Sequence, residues 1–74
     1  MEVKTNLKQF LTDRGIKQTW LAEKVGMKNE AMNRIVNGRY YPTLRVAIRI
    51  VRALREAGFA ELNIEDLWPV DDDD

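Results

Sequence analysis

The sequence predicts a compact all-α domain of five helices. Apolar residues recur at three- and four-residue spacing through most of the chain, the period of one helical face. Glycine and proline fall between those stretches and punctuate them. No segment alternates apolar with polar for long enough to make a useful strand. At 74 residues there is room for one domain, placed here at residues 1–70. So short a chain needs an economical core, which a helical bundle with local contacts provides.

The first helix is expected from about Asn6 to Asp13, with Thr5 as N-cap and Gly15 as the stop. Its Leu7, Phe10 and Leu11 lie on one face. The second is expected from Gln18 to Val25, burying Leu21, Ala22 and Val25, with Gly26 closing it. A third spans roughly Asn29 to Val36, buries Met32 and Ile35, and ends at Asn37-Gly38. After the loop Arg39-Tyr40-Tyr41-Pro42, Thr43 caps a long fourth helix reaching about Ala57, before Gly58. A short fifth helix is read in Asn63 to Trp68, capped by Asn63, with acids in its first turn and Pro69 barring continuation. Asp71 to Asp74 form a low-complexity acidic tail that is expected to be disordered.

Composition removes several chemistries. Without cysteine there are no disulfides or thiolate metal sites. Without histidine the usual general base and commonest metal ligand are missing. There is no glycine-rich phosphate loop and no acid pair placed in a pocket, so neither an enzyme nor a cofactor or metal site is expected. No apolar run follows Met1 to Lys4, and Val46 to Leu54 is arginine-interrupted and too short to span a bilayer. A cytoplasmic protein without a membrane partner is the expectation.

The net charge of zero conceals a division along the chain. Residues 1–55 hold all 12 basic residues against Glu2, Asp13, Glu23 and Glu30, a balance of +8. Residues 56–74 hold eight acids and no base, a balance of −8. A basic body suits a polyanion, though charge also serves simply to keep a small domain in solution.

The stretch from Gln18 to Asn37 carries the main functional signal. Two short helices crossing steeply over a turn of a few residues need a small residue where they nearly touch, and Ala22 stands there. They need a permissive residue in the turn, supplied by Gly26, and apolar inner faces, supplied by Leu21, Val25, Met32 and Ile35. These requirements are met together. With Met32 and Ile35 inward, Asn29, Glu30, Asn33 and Arg34 point outward. Arginine pairs with guanine, asparagine with adenine, and glutamate accepts from cytosine. A carboxylate facing DNA also disfavours wrong placements by repulsion.

The region from about Leu7 to Trp68 resembles the Cro/C1-type, phage-repressor-like helix-turn-helix family. The likeness rests on Gln18, Trp20-Leu21-Ala22-Glu23-Lys24-Val25-Gly26, Asn33-Arg34-Ile35, Asn37-Gly38, Pro42 and Ile64-Glu65-Asp66-Leu67-Trp68-Pro69, in that order. It implies a lambda-repressor-like fold, sequence-specific binding to double-stranded operator DNA, and a homodimer on a near-palindromic site. It also implies that Lys28, Asn29, Glu30, Asn33 and Arg34 face DNA from the recognition helix. Gln18 matches a glutamine that braces the DNA backbone, and Asn37 to Tyr41 match a phosphate-touching loop. Arg39 and Tyr40 are accordingly assigned to phosphate, whereas Tyr41 beside Pro42 is expected to pack under the loop.

Two departures from the family pattern stand out. An arginine-glutamate pair often found there is replaced by Leu11 and Val36, an exchange compatible with a stable fold. Lys17 and Lys28 occupy positions where Ser or Thr usually caps the motif helices; phosphate contact would offset the lost caps. The fourth helix is apolar on more than one side, which fits a central helix or one covered by a partner. Phe59, Leu62, Leu67 and Trp68 are the expected dimer surface, aromatic anchors being common at interfaces. The leading functional expectation is a repressor of phage, prophage or mobile-element type, answering to its own concentration or to a regulatory protein partner. An antitoxin or adaptor that uses the same fold to bind protein is the alternative.

Overall fold

Helix boundaries follow the local chemistry closely in the computed structural model, which describes residues 2–70. The elements are α1 (Leu7–Asp13), α2 (Gln18–Val25), α3 (Asn29–Val36), α4 (Leu44–Glu56) and α5 (Ile64–Leu67), with no strand among the described residues. The expected disordered tail, Asp71 to Asp74, lies outside them. Thr43 caps α4, its Oγ1 accepting from the Val46 N–H at 3.3 Å. Asn63 precedes α5, and its own N–H donates to the Asp66 carboxylate at 2.8 Å, one half of a capping box.

The start of α1 corrects the expected cap. Asn6, not Thr5, is the N-cap residue, although the Thr5 hydroxyl still accepts from the Leu7 N–H at 3.2 Å. That same hydroxyl donates to the Leu67 carbonyl at 2.9 Å, so it joins the start of α1 to the end of α5. The Asn6 N–H reinforces the junction by donating to the Leu67 carbonyl at 2.7 Å. Its side-chain amide reaches the Asp66 carbonyl at 3.0 Å.

At the α2–α3 turn, Gly26 takes the left-handed conformation, φ 82°, that glycine adopts at least cost. The Gly26 and Met27 N–H groups both reach the Ala22 carbonyl at 2.9 Å, satisfying the end of α2. Ala22 itself is buried at the crossing. Helix α2 packs against both α3 and α4, and α4 packs against α5. Leu7, Leu21, Met32, Ile35, Ile50, Leu54 and Leu67 fill the centre, each such burial worth roughly 1.5–3 kcal/mol. The central position of α4 is thus observed: Ala47, Ile50, Val51, Ala53 and Leu54 face the core.

That packing changes two surface expectations. Leu62, Leu67 and Trp68, expected at a dimer surface, are core residues, with Leu67 wholly buried. Phe59 is half-buried, its ring edge-on to Phe10 with centroids 5.2 Å apart. The short α5 turns its apolar side inward to close the bundle, so Leu62, Leu67 and Trp68 spend most of their surface on the core, while Phe59 keeps part of its ring at the surface. The exposed apolar residues lie elsewhere: Leu44 (71% exposed), Ile48 (43%), Val70 (75%) and the two loop tyrosines. Tyr41, expected to pack under its loop, is 57% exposed.

Candidate nucleic-acid interface

Lys17 and Lys28 take extended backbone conformations immediately before α2 and α3, and neither caps its helix through a side chain. The first-turn N–H groups of both helices therefore lack that partner. Because α2 and α3 cross at the Gly26 turn, Gln18 at the start of α2 comes beside the first turn of α3. The Gln18 amide Nε2 donates to Asn29 Oδ1 at 3.0 Å and to the Asn29 carbonyl at 3.3 Å. Asn33 Nδ2 donates back to Gln18 Oε1 at 3.3 Å. Three amides are thus linked across two helices, which fixes the orientation of each.

Asn29, Glu30, Asn33 and Arg34 are all exposed on α3, opposite the buried Met32, Ile35 and Val36. Sequence periodicity placed them on this face; the structure adds that two of them are tied to Gln18. The arrangement presents amide donors and acceptors, one guanidinium and one carboxylate on a single short helix. Such a set matches the hydrogen-bonding edges of base pairs in a major groove wide enough to admit a helix.

The flank is set by the loop after α3. Asn37 Nδ2 donates to the Asn33 carbonyl at 2.9 Å, closing the helix end, while its residue stays exposed. Gly38 is buried at φ 71°, and its carbonyl accepts from the Val3 N–H at 2.7 Å. A Cβ there would lie 2.8 Å from the Val3 carbonyl oxygen, so only glycine lets the two backbones meet. This contact holds Arg39 and Tyr40 outward, both of them exposed.

Sequence reasoning missed one part of this surface. Lys8 and Thr12 of α1 line a cleft of about 340 Å³ together with Gln18, Asn33 and Asn37. Leu11, Ile16 and Val36 complete its lining. The available signal was the four-residue spacing of Lys8 and Thr12, which puts them on one face of α1. Nothing in the sequence said that this face would adjoin α3. Among the described residues no helix is long and apolar enough to cross a membrane, and no cluster of metal-ligating residues is found.

Comparison with known proteins agrees with this geometry. The Helix-turn-helix family model matches residues 7–62. The chain is 33% identical over 72 residues to a protein of Archaeoglobus fulgidus named as an uncharacterized HTH-type transcriptional regulator, covering 97% of this chain and 94% of that one. It is 34% identical over 71 residues to a protein of the same description from Methanothermobacter thermautotrophicus, covering 96% of each. With two crossed helices, an exposed polar third helix and likeness along nearly its whole length, the chain belongs to the Cro/C1-type helix-turn-helix family and is a DNA-binding transcriptional regulator, not an enzyme.

Proposed function

We propose that the protein is a sequence-specific repressor that lays α3 in the major groove of a near-palindromic operator, as a homodimer. The amide-linked set Gln18, Asn29 and Asn33, with Glu30 and Arg34 exposed beside it, is the observation that carries this reading. Asn29, Glu30, Asn33 and Arg34 read base edges. Lys17, Gln18, Lys28, Asn37, Arg39 and Tyr40 hold the backbone and set the register. In the free protein Gln18 spends its amide on Asn29 and Asn33, so it acts on DNA partly by holding them in place.

Two copies bring two recognition helices to two half-sites, and operator symmetry then mirrors protein symmetry. The face assigned to the second copy is the exposed apolar strip of Leu44, Ile48 and Val70. Ile64 and Glu65 line both grooves along this strip, which makes it continuous from α4 to α5. A repressor of phage, prophage or mobile-element origin fits a small regulator whose occupancy follows its own concentration.

The test is selection of bound duplexes from a random library at near-physiological salt, with Arg34→Ala in parallel. The expected result is an enriched two-fold symmetric site, and a loss for the variant of about 1–3 kcal/mol with relaxed preference at one position of each half-site. Absence of any enriched sequence, with binding that only fades as salt rises, would replace this reading with the protein-binding antitoxin or adaptor.

A further inference from the structure

We propose that the groove between the end of α1, the start of α2 and the end of α4 docks an acidic segment of another protein, one that carries a bulky apolar side chain. The groove encloses about 480 Å³; Ile16, Trp20, Ala57 and Phe59 form its apolar side, and Arg14 and Lys17 are its charged members. Ile16, Trp20 and Phe59 are half-buried against the core, so each keeps part of its surface in the groove. Tryptophan and arginine are among the residue types that contribute most to contacts between proteins. Leu44 begins α4 and Ala57 follows its last residue. At about 1.5 Å rise per residue, the groove lies roughly 20 Å from the start of the strip assigned to a second copy.

The charge of the groove selects the partner. Among the described residues no carboxylate lines it, and neither Arg14 nor Lys17 has an ion pair. The Arg14 guanidinium carbon lies 3.8 Å from the centre of the Phe10 ring and 5.6 Å from that of Phe59, and Nη1 donates to the Phe10 carbonyl at 3.4 Å. Stacking occupies the face of the guanidinium and that bond takes one N–H, so the remaining edge donors are held ready for a carboxylate. The Trp20 indole N–H makes no hydrogen bond among the described residues, and it adds a donor for a peptide carbonyl. Beyond Phe59 a second cleft shares Arg14 but also contains Glu61 and Asp66, the latter committed to the Asn63 N–H. A bound acid is therefore directed to the Lys17 and Trp20 side of Phe59, away from Glu61. Lys17 is shared with the proposed DNA contacts, which leaves Arg14 as the cation that this groove alone employs.

The experiment selects peptides on the full chain from a random displayed library, and the enriched sequence is synthesised as the probe. Enriched peptides are expected to place Asp or Glu beside a large aliphatic or aromatic residue. On titration with the probe, the Trp20 indole N–H resonance moves while that of Trp68, whose Nε1 is buried, stays in place. Arg14→Gln weakens the probe by about tenfold or more, the scale of a hydrogen bond to a charged group, and Arg14→Lys weakens it less. Ala57→Glu, at an exposed position of the lining, sets a like charge in the groove and removes binding. Arg49→Gln takes away an exposed cation elsewhere on α4 and changes nothing. Enrichment of no sequence, or of one without acids, overturns the proposal. So does a probe that binds Arg14→Gln and Ala57→Glu as tightly as wild type. Self-association lost in Ala57→Glu would make the occupant a second copy, and duplex binding weakened by Arg14→Gln with no peptide selected would give the groove to DNA; either result also overturns it.

Discussion

At the scale of single residues, glycine at 38 is the least replaceable choice in the chain. Its positive φ and the 2.8 Å approach of the Val3 carbonyl leave no room for a side chain. Gly38→Ala is expected to cost about 1–3 kcal/mol of stability, measured by urea unfolding with an unchanged m-value. Gly26→Ala carries the strain of a positive φ alone, since a Cβ there meets nothing within 4 Å, and so loses less. Part of this is legible in the sequence itself. Ala22 and Gly26 announce a tight crossing because their neighbours in sequence are their neighbours in space. The reason for Gly38 is not legible there, because the atom it makes way for belongs to Val3, far earlier in the chain.

Among the elements, α2 and α3 begin without side-chain caps while α4 begins with one. Lys28→Ser should add about 1 kcal/mol of stability by supplying the missing cap, seen as a rise in Tm of several degrees. The same change should weaken DNA binding by removing a cation at the start of the recognition helix. A variant that gains stability with no loss of affinity would remove Lys28 from the proposed backbone contacts. The bounds of α2 and α3 are readable from periodicity and glycine to the residue. The α1 start is not, because the Thr5 hydroxyl divides itself between Leu7 and a carbonyl 62 residues away. Periodicity also puts the outward set on α3 correctly, but it cannot show that Gln18 ties two of its members together.

For the whole molecule, tertiary packing decides which apolar residues belong to the core and which stay exposed. Leu67 and Leu44 look alike in sequence, yet the first is wholly buried and the second is 71% exposed. The distinction depends on how α5 folds back over α4, which helical period does not encode. Ile48→Glu is expected to give a monomer in sedimentation equilibrium and to weaken operator binding while leaving the fold intact, since Ile48 is already 43% exposed. A variant that still sediments as a dimer would rule out the α4 strip. The segment before α1 has a further role at this scale. Its backbone is fastened to Gly38 through Val3 and to Leu67 through Asn6, so it bridges the loop beside the recognition helix and the last helix. Neither amide belongs to a helix, and neither can open without parting two remote pieces of the bundle. In deuterated water, the N–H groups of Val3 and Asn6 should therefore exchange with the slow core, so that this outwardly loose segment acts as a clock for unfolding of the entire molecule.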